Sequence, residues 1–449
     1  MANLKTKNNG NVPEGSGKVR KTSVDKMDSV FRCVCGIDVH SMIIMACIRT
    51  GNKIEVIEYE AYTRSLYELC AKLKAVGCEM VAMESTGSYW KPLINLFEEE
   101  GLPAMVVNAQ HVKNVPGRKT DVTDAEWIAK LCQKGMLNAS YIPDRDQREF
   151  REMIRYRKSL VGERTRETNR LIKILQGANI KLAETLSSVN GVTSQKLIRL
   201  LRTGEEITLE KIEAARNGNI KASSEQLLMA MEGKCSDLQK ELIDMIIDSI
   251  ESIDARIERV ESLADRYLTT PFVECAKALE AIPGIGKESS RVLVTEAGID
   301  MDKFKSMDAF CCWTGIAPGN KESGGKKHKT KTTKANSNIK SCLVQCAWAA
   351  VKNKDSYFYA QYQRMLRRGL GKGKAIVAVA HSIAKAVYHV LCGEEFKDLG
   401  VEYYNSYDRS KKIKSHIKQL QKLGVEHDEI AAMLMTLNHP VSEESVVTA

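Results

Sequence analysis

This sequence predicts an α/β protein of more than one domain, on three observations. From Phe31 to about Pro143, short apolar runs alternate with helix-period segments. The middle of the chain is helical, with an arginine-rich stretch and a heptad repeat. Beyond Thr270 a second helical region is broken by glycine-rich turns. At 449 residues the chain exceeds what one core organises, so two or three domains are expected.

The elements follow in order. Residues 1–30 are polar and basic with no hydrophobic segment, which reads as a disordered tail and not as a secretory signal. Phe31–Arg49 and Lys53–Tyr62 predict a two-stranded hairpin about Thr50-Gly51-Asn52. A helix through Ser65, Leu66, Leu69 and Leu73 stops at Gly77. The strand Met80–Glu84 follows, then a helix Tyr89–Glu100 stopped by Gly101, and the strand Ala104–Asn108. The order β-β-α-β-α-β predicts a mixed sheet with helices on its faces. The segment around Asp121 and Asp124 and a helix Ala125–Lys134 complete a domain over residues 31–144.

A helical connector is expected over residues 145–270. Its first part, Arg145–Gln176, carries Arg155, Arg157, Arg164, Arg166 and Arg170 among other cations. Such a helix is either a solvated, ion-paired face or a surface that tracks nucleic-acid phosphates. Further on, Ile246, Ile250, Ile253, Ile257, Val260, Ala264 and Tyr267 alternate steps of four and three, a heptad seam. Periodicity leaves open whether the seam forms an intermolecular coiled coil or a hairpin within one chain. Over residues 271–397 a mainly helical domain begins with Ile282-Pro283-Gly284-Ile285-Gly286 between two helices. This resembles a helix-hairpin-helix turn, in which Gly284 and Gly286 present backbone N–H groups to DNA phosphate. A tight turn between packed helices is the plainer reading. Residues 398–449 read as a polar tail.

Composition narrows the class. The formal charge is +10, from 67 basic and 57 acidic residues, which favours a polyanionic partner. The thirteen cysteines include no CxxC pair, so reduced, mostly buried thiols are expected in place of disulfides or zinc sites. The most apolar stretch, Ala375–Leu391, is interrupted by His381, Lys385 and His389. It reads as a packed amphipathic helix, and no membrane association is expected.

The chemistry lies in the acids. Asp38 is embedded in the apolar run Val34–Val39, Glu84 ends a second such run, and Asp121 and Asp124 bracket a helix start. A carboxylate in a buried strand is costly, and several together repel unless a cation neutralises them. Strand alternation puts Val34, Gly36 and Asp38 on one face, and Glu84 lies at a strand's carboxyl end, where ligands of α/β sheets gather. Thr123 and Glu126 have capping-box spacing, which makes Asp124 the first helical residue. Singly, each acid is more often structural. Together they favour a Mg²⁺ site of ribonuclease H type, with Mn²⁺ as a substitute, since hard oxygens suit that ion and leave room for phosphate. Ser323 stands in a Gly- and Lys-rich segment with Lys326, Lys327, Lys329 and Lys331. Those lysines suit a nucleic-acid backbone. On residue chemistry alone the serine is as well a linker residue, because nothing nearby resembles a general base.

Three motifs of the first domain carry a resemblance: Gly36-Ile37-Asp38-Val39-His40, Glu84-Ser85-Thr86-Gly87-Ser88-Tyr89 and Lys119-Thr120-Asp121-Val122-Thr123-Asp124-Ala125. Ile282–Gly286 and Gly315-Ile316-Ala317-Pro318 followed by Ser323-Gly324 extend it. In this order and spacing, from about Cys33 to Leu391, the chain resembles the DEDD-type insertion-sequence transposases, or bridge-RNA-guided recombinases. The resemblance implies a RuvC-like N-terminal domain, a coiled-coil connector and a C-terminal transposase domain. It further implies that Asp38, Glu84, Asp121 and Asp124 hold Mg²⁺ and that Ser323 forms a covalent phosphoserine with DNA. Acids and serine would come from different subunits of a homo-oligomer, dimer or tetramer. The partners would be double-stranded DNA and a noncoding guide RNA, in a cytoplasmic, nucleoid-associated prokaryotic protein. The stretch Lys334-Ala335-Asn336 followed by Lys340 departs from the family's Lys-x-Gly and arginine. Lysine does not reproduce arginine's fork, so the phosphate contacts there are expected to differ. Two rival readings are a hydrolytic endonuclease of the Holliday-junction resolvase type and a non-enzymatic nucleic-acid-binding protein.

Overall fold

The structure is a computed structural model that describes residues 6–7, 28–85, 87–108, 112, 123–319, 322–323, 326–327, 332, 336–424 and 428–429. The chain forms two compact units, Met1–Arg145 and Asp146–Ala449.

The first unit is built on one mixed sheet. Its strands are β1 (Thr6–Lys7), β2 (Cys33–Val39), β3 (Ile43–Thr50), β4 (Lys53–Glu60), β5 (Met80–Glu84) and β6 (Ala104–Val107), in the spatial order β1-β4-β3-β2-β5-β6. β2, β3, β4 and β1 pair antiparallel, whereas β2–β5 and β5–β6 are parallel. The expected hairpin is corrected here: Phe31–Arg49 is itself two strands, because the chain reverses at His40–Met42, where His40 N–H donates to the Ile43 carbonyl at 2.9 Å. The tail expected to be disordered supplies β1, with Thr6 opposite Ile57 and Lys7 opposite Val56. Residues 1–5 and 8–27 lie outside those described.

Helices α1 (Thr63–Ala75) and α2 (Trp90–Glu99) cover one sheet face. Each is followed by a glycine with φ in the left-handed region, Gly77 at +64° and Gly101 at +68°, which ends the helix as the sequence predicts. Their Leu66, Leu69, Leu73, Leu93 and Phe97 pack on Cys35, Ile37 and Val39. Helix α3 (Asp124–Gln133) covers the opposite face, with Trp127, Ile128 and Leu131 against Val34.

The second unit opens with α4 (Arg145–Gly177), followed by α5 (Leu182–Thr185), α6 (Val192–Thr203), α7 (Leu209–Ala215), α8 (Ser224–Ala230) and α9 (Asp237–Tyr267). Ser236 and Gln239 form a capping box that fixes the start of α9. α4 and α9 run antiparallel within the chain. Leu171 and Leu175 share a core with Ile243 and Ile250, Leu160 packs with Ile253 and Val260, and Phe150 and Ile154 share a core with Ala264 and Leu268. The heptad seam therefore faces α4 of its own chain.

The remaining helices are α10 (Thr270–Leu279), α11 (Lys287–Ala297), α12 (Met307–Trp313), α13 (Ser337–Ala350), α14 (Tyr357–Arg367), α15 (Lys372–Leu391) and α16 (Glu402–Lys422). Two short strands, β7 (Glu322–Ser323) and β8 (Lys326–Lys327), lie between α12 and α13. α15 is long and apolar enough to cross a membrane by length and composition. Here its Ala375, Ile376, Val379, Ile383 and Val387 fill the protein core instead, as the expected packed helix would. The expected polar tail is corrected by α16, where Tyr403 meets Tyr357 edge-on at 5.4 Å.

Candidate active site

β2 carries Asp38 toward the face covered by α3. Gly36, two residues earlier, marks that face: a Cβ there would stand 2.3 Å from both the Ala125 carbonyl oxygen and the Ala129 nitrogen. Only glycine lets the first turn of α3 lie this close to the strand. Thr123 is the N-cap, its hydroxyl accepting from Glu126 N–H at 3.3 Å, and Asp124 is the first helical residue, as its spacing predicts. On the neighbouring parallel strand the register pairs Ile37 with Met83. One step further along both strands stand Asp38 and Glu84. The fold therefore brings Asp38, Glu84 and Asp124 to one end of the sheet, at the carboxyl ends of β2 and β5. Asp121 lies outside the described residues.

Asp38 is partly open to solvent, and its Oδ2 lies 3.2 Å from His40 Nε2. His40 belongs to the motif, but no role is read for it from the motif alone. The acids supply hard oxygen donors of the kind a Mg²⁺ ion takes. Among the described residues, however, no three His, Cys, Asp or Glu side chains stand close enough together to hold a metal.

In the second unit, Ser323 pairs with Lys326, and Glu322 with Lys327, in an antiparallel ribbon. The backbone here is a strand, which corrects the linker reading of the serine. Lys329 and Lys331 lie outside the described residues. Thr332 bridges to Pro318 and accepts from Lys340 Nζ at 2.6 Å, so Lys340 ties down the base of this segment. Just beyond, Asn336 caps α13 and donates through Nδ2 to Glu296 Oε2 at 2.5 Å.

Glu296 is 1% exposed. Arg155 grips it with Nε and Nη2 at 2.7 and 2.8 Å, and Arg151 Nε lies 3.8 Å away. Burial pushes its carboxyl up, yet hydrogen bonds from Arg155 and Asn336 and the charges of both arginines hold it below its ordinary value. Arg155 is raised in turn, chiefly by its bond to Glu296. Nothing in the sequence marked this acid, one of two glutamates on an amphipathic helix.

The arginines of α4 divide by what they touch. Arg155 serves Glu296, Arg157 pairs with Glu261 and Glu288, and Arg164 Nη2 donates to Asp254 at 3.0 Å. Among the described residues, Arg166 and Arg170 pair only with Glu163 and Glu167 on their own helix, and both remain more than 60% exposed. At the glycine turn, Gly284 has φ +88°, and a Cβ there would meet the Cys346 carbonyl at 2.3 Å, so this glycine packs against α13. Gly286 faces open space.

Known proteins identify this arrangement. A family model of transposases, DEDD type of IS110, matches residues 35–180, across the acidic sheet edge and the first long helix of the connector. A second, the transposase IS116/IS110/IS902 family, matches residues 276–363, across the glycine turn and the serine ribbon. The chain belongs to the IS110 family of DEDD transposases. The transposase for insertion sequence element IS1111A of Coxiella burnetii is 23% identical over 384 residues, covering 84% of this chain and 91% of the relative. The transposase for insertion sequence element IS1328 of Yersinia enterocolitica is 25% identical over 271 residues, covering 60% of this chain and 70% of the relative. T. thermophilus RuvC in complex with a Holliday junction substrate aligns at 14% identity and TM-score 0.19, over 24% of this chain and all of that one. This transposase is thus an enzyme acting on DNA.

Proposed function

We propose that this transposase excises and inserts its insertion sequence through a serine–DNA intermediate at a divalent-metal site. Asp38, Glu84, Asp121 and Asp124 would hold Mg²⁺, and the ion would supply Lewis acidity for phosphoryl transfer. Ser323 Oγ attacks the phosphorus and loses its proton. The bond from phosphorus to the leaving sugar oxygen breaks, and that oxygen leaves as a hydroxyl after taking up a proton. Attack by a DNA hydroxyl on the phosphoserine then joins the new strands and restores the serine.

The observation that carries this reading is the register of β2 on β5, which sets Asp38 and Glu84 side by side beneath the start of α3. Beside the short β1, the antiparallel strands β4, β3 and β2 followed by the parallel β5 and β6 also suit a ribonuclease H-type sheet. The finer assignments rest on the motif resemblance: an element-encoded guide RNA, and acids and serine drawn from different subunits of a dimer or tetramer. Leu238 and Met245 of α9, 70% and 68% exposed, give such an oligomer an apolar surface. Arg166, Arg170, Gly286 and the lysines at 326, 327, 329 and 331 would hold nucleic-acid phosphates.

A denaturing gel of the protein with Mg²⁺, labelled element-junction DNA and RNA transcribed from the element's flanks tests the proposal. A slow-migrating protein–DNA adduct is expected from wild type and from neither Ser323→Ala nor Asp38→Ala. Cleaved DNA without an adduct, persisting in Ser323→Ala, would instead make this a hydrolytic enzyme.

A further inference from the structure

From Ser356 to Gly393 the chain contains no Asp or Glu, while Arg364, Arg367, Arg368, Lys372, Lys374 and Lys385 fall in the same span. These residues form the hairpin of α14 and α15. Every residue of its turn, Arg367 to Lys374, is exposed. Beneath the turn Tyr362, Ala375 and Ile376 are buried in the core, so the cations sit on a fixed base. Arg155, Arg157 and Arg164 are occupied by acids of their own chain. In contrast, Arg367, Arg368, Lys372 and Lys374 make no side-chain ion pair or hydrogen bond with any described residue.

The glycines of the turn supply a second observation. Gly369, at φ +81°, is required by the backbone. Gly371 and Gly373 have no such φ, and a Cβ at either would meet nothing within 4 Å. Gly373 sits in the first turn of α15, where alanine favours the helix far more. Neither packing nor backbone conformation explains it. Glycine between cations lets a partner's backbone come close against the main chain.

From these observations we infer that the Arg367–Lys374 turn is a docking surface for the phosphate backbone of duplex DNA, outside the segments that the family models match. The inference rests on DNA as the substrate, and it is independent of the roles of Ser323 and of a metal. Contacts of this kind position DNA without reading its sequence.

The test measures binding of the full-length protein to a labelled DNA duplex and to an RNA duplex across a series of salt concentrations. Removing two phosphate contacts in Lys372→Gln/Lys374→Gln should reduce the slope of log affinity against log salt by about 2. Lys221→Gln/Lys234→Gln removes the same charge from exposed positions elsewhere and should leave the slope unchanged. Gly373→Ala should melt at or above the wild-type temperature and yet bind the DNA duplex several-fold more weakly, a combination that a merely structural glycine does not give. An unchanged slope in the first variant, an equal loss in the control pair, or a loss confined to RNA would overturn the assignment. A wild-type protein that binds no duplex DNA would overturn the substrate reading with it.

Discussion

Glu296 shows most directly how one side chain is held by opposing forces. Burial of a carboxylate disfavours its charge, and the Arg155 fork, Arg151 and Asn336 outweigh that penalty. Replacing it with alanine leaves two arginines without their buried partner, which should cost about 3–5 kcal/mol in denaturant unfolding at neutral pH. Because the folded carboxyl titrates below its ordinary value, this stability is fully present above the unfolded value of 4.5. It is lost as pH falls through the lower folded value. The difference between wild type and Glu296→Gln should accordingly shrink in acid; a gap that stays constant with pH would rule out an ionised Glu296. Gly36 is the second residue to test. Adding a Cβ in Gly36→Ala forces α3 off β2, at a cost of about 1–3 kcal/mol. With the proposed metal site at Asp38, Glu84 and Asp124, it should also weaken any rise in melting temperature on adding Mg²⁺, because Asp124 moves with the helix.

Among the elements, α4 and α9 carry the clearest consequence. The seam of α9 is buried against α4 by Leu160, Ile253 and Val260, and Arg157–Glu261 and Arg164–Asp254 flank it. Val260→Asp puts an unpaired charge in this seam, and a loss of several kcal/mol of stability is expected. Its sedimentation before unfolding should match that of wild type, because the seam is satisfied within one chain; dissociation of an intact oligomer would contradict this. The same geometry explains why only part of the arginine-rich helix remains open to solvent. α9 and α11 contribute acids that engage Arg155, Arg157 and Arg164, leaving Arg166 and Arg170 on the open side.

Over the whole molecule, the thirteen cysteines are free thiols, and nine of them are buried. Burial pushes Cys47, Cys78 and Cys132 up to about 12, so they stay protonated and unreactive at neutral pH. A thiol reagent should label exposed Cys312 and Cys392 first in the native protein, and the buried thiols only after unfolding. The melting temperature should not depend on reductant. Rapid native labelling of Cys35 or Cys47 would show that the sheet opens.

Most elements were legible in the sequence, because period and punctuation are local. Gly77 and Gly101 end their helices, Thr123 starts one, and Met80–Glu84 reads directly as a strand ending in an acid. Strand alternation also fixed the face of Asp38. The missing turn at His40–Met42 lacked glycine or proline, so two strands read as one. The helix at Glu402–Lys422 lacked an apolar stripe, and a polar tail was the natural reading. Other features needed the tertiary structure because they depend on residues far apart in sequence. The register that sets Asp38 beside Glu84, the close approach of Ala125 and Ala129 to Gly36, and the partner of the heptad seam are of this kind. So are the capture of Arg155 by a buried Glu296 and the freedom of the cations at Arg367–Lys374. Sequence specifies which side chains are charged or apolar; only packing decides which charges neutralise one another and which remain open to solvent.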